Sequence, residues 1–360
     1  MERFTGILGM LAILGIAYLM SNNKKNIDLR LVIWGLGLQL LFGIFILVTP
    51  FGKPIFAWFD KLIKKLLSFS NDGSEFLFAS FIDGKMHPSV INFAFSVLPT
   101  VIFFSALMAV LYHIGLMQKI IKLVAIVMQK TMKTSGPETT SISANIFVGQ
   151  TEAPLVIKPF ISKMTKSELT AIMTGGFATV AGGVMAAYVL MLSDVIPGIA
   201  GHLMAASIMS APAALVIAKI IYPENSTPET AKGNIELSKV SDEGNFLEAL
   251  GNGATEGMKL ALNIAAMLIA FLSVLALVNW IFSLLSFGET VLTLEIILGY
   301  LFMPLAFLMG APWSEAQILG TLMGQKLVLT EFIAYGNLAS LSDQLSVRTA
   351  TIAAYALCGF

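Results

Sequence analysis

The sequence predicts an all-α polytopic membrane protein. About eight transmembrane helices are joined by two re-entrant helical hairpins in an inverted repeat, and the last span is truncated. Three observations predict it. Only 12% of the 360 residues are charged and 56% are apolar, whereas an ordinary globular chain is about a quarter charged. Seven stretches carry no Asp, Glu, Lys or Arg, at 4–23, 31–52, 86–118, 169–193, 195–218, 260–288 and 296–314, and about 20 apolar residues cross a ~30 Å hydrocarbon core. Two further segments interrupt apolar sequence with a polar tip between arms too short to span. A soluble fold of this length has no core large enough to hide so much apolar surface.

Taken in order, residues 1–112 read as N-terminal scaffold spans. The first runs from Met1 into apolar sequence without a small-residue cleavage site, so it is read as retained. Within this block 55–67 puts apolar and Lys positions on opposite helix faces, the pattern of an interfacial helix. Residues 113–221 form a first repeat, a re-entrant hairpin at 139–163 followed by two spans. Thr165 and Glu168 have capping-box spacing, which starts the first of those spans at the interface. Residues 222–259 are a linker and an amphipathic helix; 222–245 is rich in Pro, Glu, Ser, Asn and Lys and reads as solvated. Residues 260–295 hold a scaffold span. Residues 296–360 form a second repeat with a hairpin at about 304–326, and the final charge-free run, 349–360, is too short to cross. With the N-terminus outside, the larger share of the 22 Lys and Arg falls on the inner side.

Several partners are excluded. Net charge is +0, which gives no attraction to nucleic acid. One cysteine, Cys358, excludes a disulfide framework and a thiolate metal site, and His87, His113 and His202 are too scattered for a metal cluster. No cofactor is expected.

The first hairpin carries the argument. Arms 142–148 and 155–161 are seven residues each, roughly 10 Å of helix, so the tip Gly149–Gln150–Thr151–Glu152–Ala153–Pro154 lies deep in the membrane. Gly149 suits a reversal, and Pro154 the first turn of the returning helix. Backbone at that depth must be buried in protein or line a wet cavity, and a carboxylate there marks a solute or ion site; the alternative is a pair between Glu152 and Lys158. In the second half, Ser314–Glu315–Ala316 echoes Thr151–Glu152–Ala153 inside the interruption at 310–316, placing Glu315 at a second tip. Beyond the first hairpin, Gly175, Gly176, Gly182 and Gly183 serve either close packing or a local unwinding that frees carbonyls for a cation. Beyond the second stands Glu331, a site carboxylate or a partner for Lys326. Carboxylate, amide and hydroxyl groups at one depth suit a neutral solute rich in hydroxyls and amides.

The run Asn145–Ile–Phe–Val–Gly149–Gln150–Thr151–Glu152–Ala–Pro154, with Pro312–Trp–Ser–Glu315–Ala, Glu331–Phe–Ile–Ala–Tyr335 and the terminal Ala356–Leu–Cys–Gly–Phe360, resembles the concentrative nucleoside transporters along essentially the whole chain. The resemblance implies a sodium-coupled nucleoside symporter of a bacterial inner membrane. It implies a homotrimer in which each transport domain moves like an elevator against the scaffold. It further implies that Gln150, Thr151 and Glu152 contact the base, that Val184 packs on it, and that Glu331 binds ribose hydroxyls. Sodium is then held by the side chains of Asn145 and Thr179 and the carbonyls of Val148 and Val180; Thr179 stands where the family has Ser. In the family the Cys–Gly–Phe run continues through two more ribose ligands, so the ribose half ends here at Phe360, and an inactive truncated form is one expectation. Proton coupling is another. An intramembrane enzyme is disfavoured by the lack of a nucleophile–base pair or His/Glu cluster. A channel needs no paired re-entrant tips, and a receptor or scaffold needs no carboxylates at mid-membrane.

Overall fold

The computed structural model describes residues 2–47, 49–50, 52, 54–65, 97–150, 152–226, 228–232, 244–283 and 293–359. Among these there are helices and no strands. Helices α1 (Glu2–Leu19) and α2 (Leu29–Leu47) are followed by α3 (54–65), where Lys64 pairs with Asp60 at 3.1 Å. Then come α4 (Leu98–His113) and α5 (Leu116–Met132), and the first hairpin, made of α6 (Gly136–Asn145) and a 3₁₀ arm (Ala153–Lys163). Helices α7 (Lys166–Ala178), α8 (Gly182–Leu192) and α9 (Ile199–Ile221) complete the first half. The second half contains α10 (Phe246–Ser283), α11 (Leu294–Leu308), α12 (Trp313–Val328), α13 (Glu331–Ser340) and α14 (Val347–Leu357).

Among the described residues four helical stretches are long and apolar enough to cross a bilayer, or up to six if each of two bent pairs is counted as a span. Part of the expected span at 86–118 lies outside the described residues. Its described end stops at His113, and the chain turns by 77° at Gly115, whose φ of +78° is cheap only for glycine. The charge-free stretch 169–193 is two helices, because Thr179 to Ala181 are extended between α7 and α8.

Small residues set the helix contacts, as expected where lipid supplies no hydrophobic drive between helices. Gly253 and Gly257 let α10 lie directly on Ala106, Ala109 and Ile102 of α4. Gly299 of α11 faces Gly320 and Thr321 of α12, and these two helices meet at a 118° bend.

The 222–245 segment is less free than its composition predicts. Its start is tied to the first turn of α7, just beyond the hairpin: Thr165 Oγ1 donates to Glu224 at 2.7 Å, and Thr230 donates to Glu168, whose other oxygen closes the expected capping box at Thr165. Beside them Lys219 of α9 is buried between Glu138 (2.8 Å) and Ser167 (3.0 Å). Removing one member of such a pair strands a buried charge, at about 3–5 kcal/mol. The base of the hairpin is therefore fixed, and residues 233–243 lie outside the described region.

Candidate functional site

The first apex begins with a well-capped half-helix. Ser135 and Glu138 cap α6 reciprocally, with Ser135 N–H donating to Glu138 at 2.8 Å. At its other end Asn145 reaches across to the last turn of α7. Its Nδ2 donates to the carbonyls of Gly175 at 2.7 Å and Gly176 at 3.3 Å and contacts Thr179, whose hydroxyl returns a 2.7 Å bond to the Asn145 carbonyl. Those two carbonyls are among the last four of α7, which have no partner within the helix. Asn145 is 2% exposed, yet its Oδ1 accepts from nothing among the described residues. A buried acceptor left empty costs about 1–3 kcal/mol.

Two expected sodium ligands, Asn145 and Thr179, are thus in contact. Val180 follows directly and is buried, its N–H 3.5 Å from Ser207 of α9. Val148 is half-buried and packs near Tyr112 and Met117. At the turn itself, Gly149 accepts from the N–H groups of Glu152 (3.2 Å) and Ala153 (3.0 Å). It does not use a left-handed φ, as the reversal argument supposed. An added Cβ there would meet the Glu152 carboxylate, the movable end of an exposed side chain. Gln150 lies against Gly176. Glu152 is exposed, with no ion pair to Lys158 among the described residues. Thr151 lies outside the described residues.

The second apex is not where the sequence reading put it. Glu315 sits in the first turn of α12, half-buried, and its carboxylate accepts from Ser346 N–H (3.1 Å) and Oγ–H (2.9 Å) at the start of α14. From there α12 runs 13 residues to Val328, about 20 Å. The turn is at Leu329–Thr330. Across it Asn337 of α13 donates to Gln325 of α12 at 2.9 Å, a contact available only if the two helices fold back on each other. Glu331 therefore occupies the apex, matching the Thr–Glu pair of the first hairpin. Thr330 caps α13, and Tyr188 of α8 donates its hydroxyl to Glu331 at 2.7 Å. Tyr188 stacks on Tyr335 at 4.2 Å and meets Phe332 edge-on at 5.7 Å. Glu331 is 5% exposed and makes no ion pair with Lys326 among the described residues; the Lys326 ammonium goes to the Ala356 and Cys358 carbonyls instead.

Helix α8 connects the apices. At its start, Gly182 N–H donates to Phe147 of the first apex at 3.1 Å. Six residues on, about 9 Å along the axis, Tyr188 holds Glu331. Val184 lies between them, 5% exposed. The two helix breaks also meet. Gly359, with φ +105°, lies so close to Phe177 and Ala178 that a Cβ would strike their backbone, and Ser207 lies between Val180 N–H and Cys358 Sγ. Phe360 lies outside the described residues. Tyr188 and Ser207 escaped the sequence reading. The signal for Tyr188 was a polar-tipped aromatic one helical turn beyond Val184, on the same face.

Family comparisons fit this architecture. The family model described as Na+ dependent nucleoside transporter C-terminus matches residues 202–360, its N-terminal counterpart matches 8–81, and one described as Nucleoside recognition matches 94–195. The chain belongs to the concentrative nucleoside transporter family. Among family members, the uncharacterized transporter YutK of Bacillus subtilis (strain 168) is 44% identical over 364 residues, covering 100% of this chain and 88% of its own length. Sodium/nucleoside cotransporter 1 of Rattus norvegicus is 40% identical, with 100% of this chain and 56% of the relative covered. CNTnw, in an inward-facing substrate-bound state, superposes with a TM-score of 0.91 at 41% identity, over 100% of this chain and 86% of the other. A doubly substituted CNTnw in an outward-facing state gives 0.90 at 40% identity over the same shares. The nucleoside transporter fold is all-helical, and this chain is a membrane protein of that family.

Proposed function

We propose that this transporter carries nucleosides, uridine among them, into a bacterial cell with Na+. The observation that carries the reading is the placement of both apices on one short helix. Phe147 and Gly149 of the first apex lie against the start of α8, so that the neighbouring tip residues serve the base; Val184 offers an apolar surface in the middle, and Glu331 is held at Tyr188. A base and its sugar fit that spacing, with amide and carboxylate groups for the base edge and a carboxylate acceptor for the ribose hydroxyls.

Sodium enters through the empty Asn145 Oδ1. Its neutral oxygens are Asn145, Thr179 and the carbonyls of Val148 and Val180, a donor set suited to a hard monovalent cation. A cation there relieves the unpaired acceptor and ties the first apex to the α7–α8 break, so solute binding at that apex gains from sodium binding. The elevator reading, with two hairpins and two broken helices moving as one body in each protomer of a homotrimer, is supported by the contact between the breaks. The N-terminus is placed outside by the Lys and Arg distribution.

Counterflow of labelled uridine in proteoliposomes tests the reading. Exchange that rises with Na+ at fixed membrane potential is expected. No exchange, or chemical conversion of the uridine, would overturn transport; exchange driven by a pH gradient and indifferent to Na+ would overturn the sodium site.

A further inference from the structure

We propose that Lys326 is a tethered cation that fills, in the second repeat, the position the first repeat leaves for sodium. The proposal rests on the sodium reading above and extends it to the other half of the molecule.

The two repeats build the same junction. In the first, Asn145, at the apex end of α6, reaches the unpaired carbonyls that close α7 before its break; Asn145 and Gly175 are 30 residues apart in sequence. In the second, Lys326, near the apex end of α12, reaches the carbonyls that close α14; Lys326 and Ala356 are also 30 residues apart. The second contacts match closely too, at separations of 31 for Gly176 and 32 for Cys358. Each junction is the negative end of a helix held open by a break.

The difference lies in the group that arrives. Asn145 is neutral, donates to two carbonyls and leaves its Oδ1 buried without a partner. That junction has acceptors to spare and no charge to balance them. Lys326 brings three donors and one positive charge, and places them 3.2 Å from Ala356 O and 3.4 Å from Cys358 O. Gly359, directly after, is packed on the end of α7, so the lysine fixes the break against which the sodium-binding break rests. Only the first junction then exchanges its cation with solution, and the second keeps a permanent one. The polar end of α14 keeps a charged partner in every state of the cycle, whereas the end of α7, held by the neutral Asn145 amide, gains one only when sodium is bound.

Chemical rescue tests this. Lys326→Ala and Lys326→Met are reconstituted, checked for monodispersity on size exclusion, and assayed for Na+-driven uridine uptake with and without tens of millimolar methylammonium or ethylammonium. Uptake about 100-fold below wild type is expected in both, the scale of a lost charge-assisted contact pair. Alkylammonium is expected to restore the alanine variant at least tenfold and saturably, and to leave the methionine variant, whose side chain fills the space, and the wild type unchanged. Near-normal uptake in Lys326→Met, or a folded alanine variant that no ammonium restores, overturns the proposal. If alanine does not fold, Lys326→Arg against Lys326→Gln decides: uptake clearly higher in arginine supports a tethered cation, and uptake no higher overturns it. The sodium titration of wild type and Asn145→Leu reads the first junction separately. Sodium-indifferent wild-type uptake defeats the sodium reading whatever the rescue shows.

Discussion

The two apices carry the same Thr–Glu pair and treat it in opposite ways. At the first, Glu152 is exposed beside a glycine turn, and the buried polar group is a neutral asparagine with an empty acceptor. At the second, Glu331 is buried beneath Tyr188, Phe332 and Tyr335, and the group at the helix end is a lysine. A buried carboxylate held by the Tyr188 hydroxyl has lone pairs left for hydroxyls and pays a large desolvation cost when they go unmet. An exposed carboxylate is already solvated and exchanges water for solute at little net gain. Affinity should therefore be concentrated at the second apex and ion coupling at the first.

The largest effect that would break this contrast is at Glu331. Glu331→Gln keeps the shape and a Tyr188 partner but removes the charge that strengthens two ribose hydroxyl bonds, about 3 kcal/mol in all. Uridine affinity by calorimetry should fall about 100-fold. Tyr188→Phe, which leaves the carboxylate but removes its positioning bond, should cost about tenfold at 1–2 kcal/mol. Unchanged affinity in either would move the site off α8.

Next comes the ion. Asn145→Leu is nearly isosteric and removes both the donor to the α7 carbonyls and the empty acceptor. The sodium concentration for half-maximal uptake should rise at least about tenfold, the equivalent of ~1.4 kcal/mol or more, while uridine affinity at saturating sodium stays within about threefold. A change in uridine affinity with no change in sodium dependence would reverse the assigned roles. Glu152→Gln should cost only about three- to tenfold in uridine affinity, because the exposed group loses about 1 kcal/mol of hydrogen-bond strength and little burial energy.

The helical, membrane character was legible because long charge-free runs have few physical outcomes. The Thr165–Glu168 cap was legible because its two residues are three apart. The first hairpin was legible because its tip combines glycine, proline and a carboxylate between short apolar arms. What was hidden is long-range or lacks a breaker. The pairing of Thr165 with Glu224 and of Thr230 with Glu168 joins residues about 60 apart, and no local pattern announces it. The Leu329–Thr330 turn contains neither Gly nor Pro, whereas the bend at 310–312 contains both, so the second apex was drawn to the wrong carboxylate. The chain reverses at Thr330 because its hydroxyl caps α13, and a lone Thr before an apolar run is a faint signal beside Gly–Ala–Pro.

The smallest expected effect sharpens the contrast most, because it separates position from resemblance. Glu315 sits in a Ser–Glu–Ala triplet that mimics Thr151–Glu152–Ala153, yet its carboxylate is spent on the N–H and hydroxyl of Ser346 at the opposite end of α12 from Glu331. Glu315→Gln retains an acceptor for Ser346, and a substitution of this kind at a half-buried position should shift stability by no more than about 0.5 kcal/mol. Uridine affinity and the sodium dependence of uptake should both stay within about twofold of wild type. A loss near that of Glu331→Gln would mean that α12 delivers its N-terminal carboxylate to the solute. The apex would then lie at the 310–312 bend, and the Asn337–Gln325 contact that places it at Leu329–Thr330 would describe a conformation other than the one that binds.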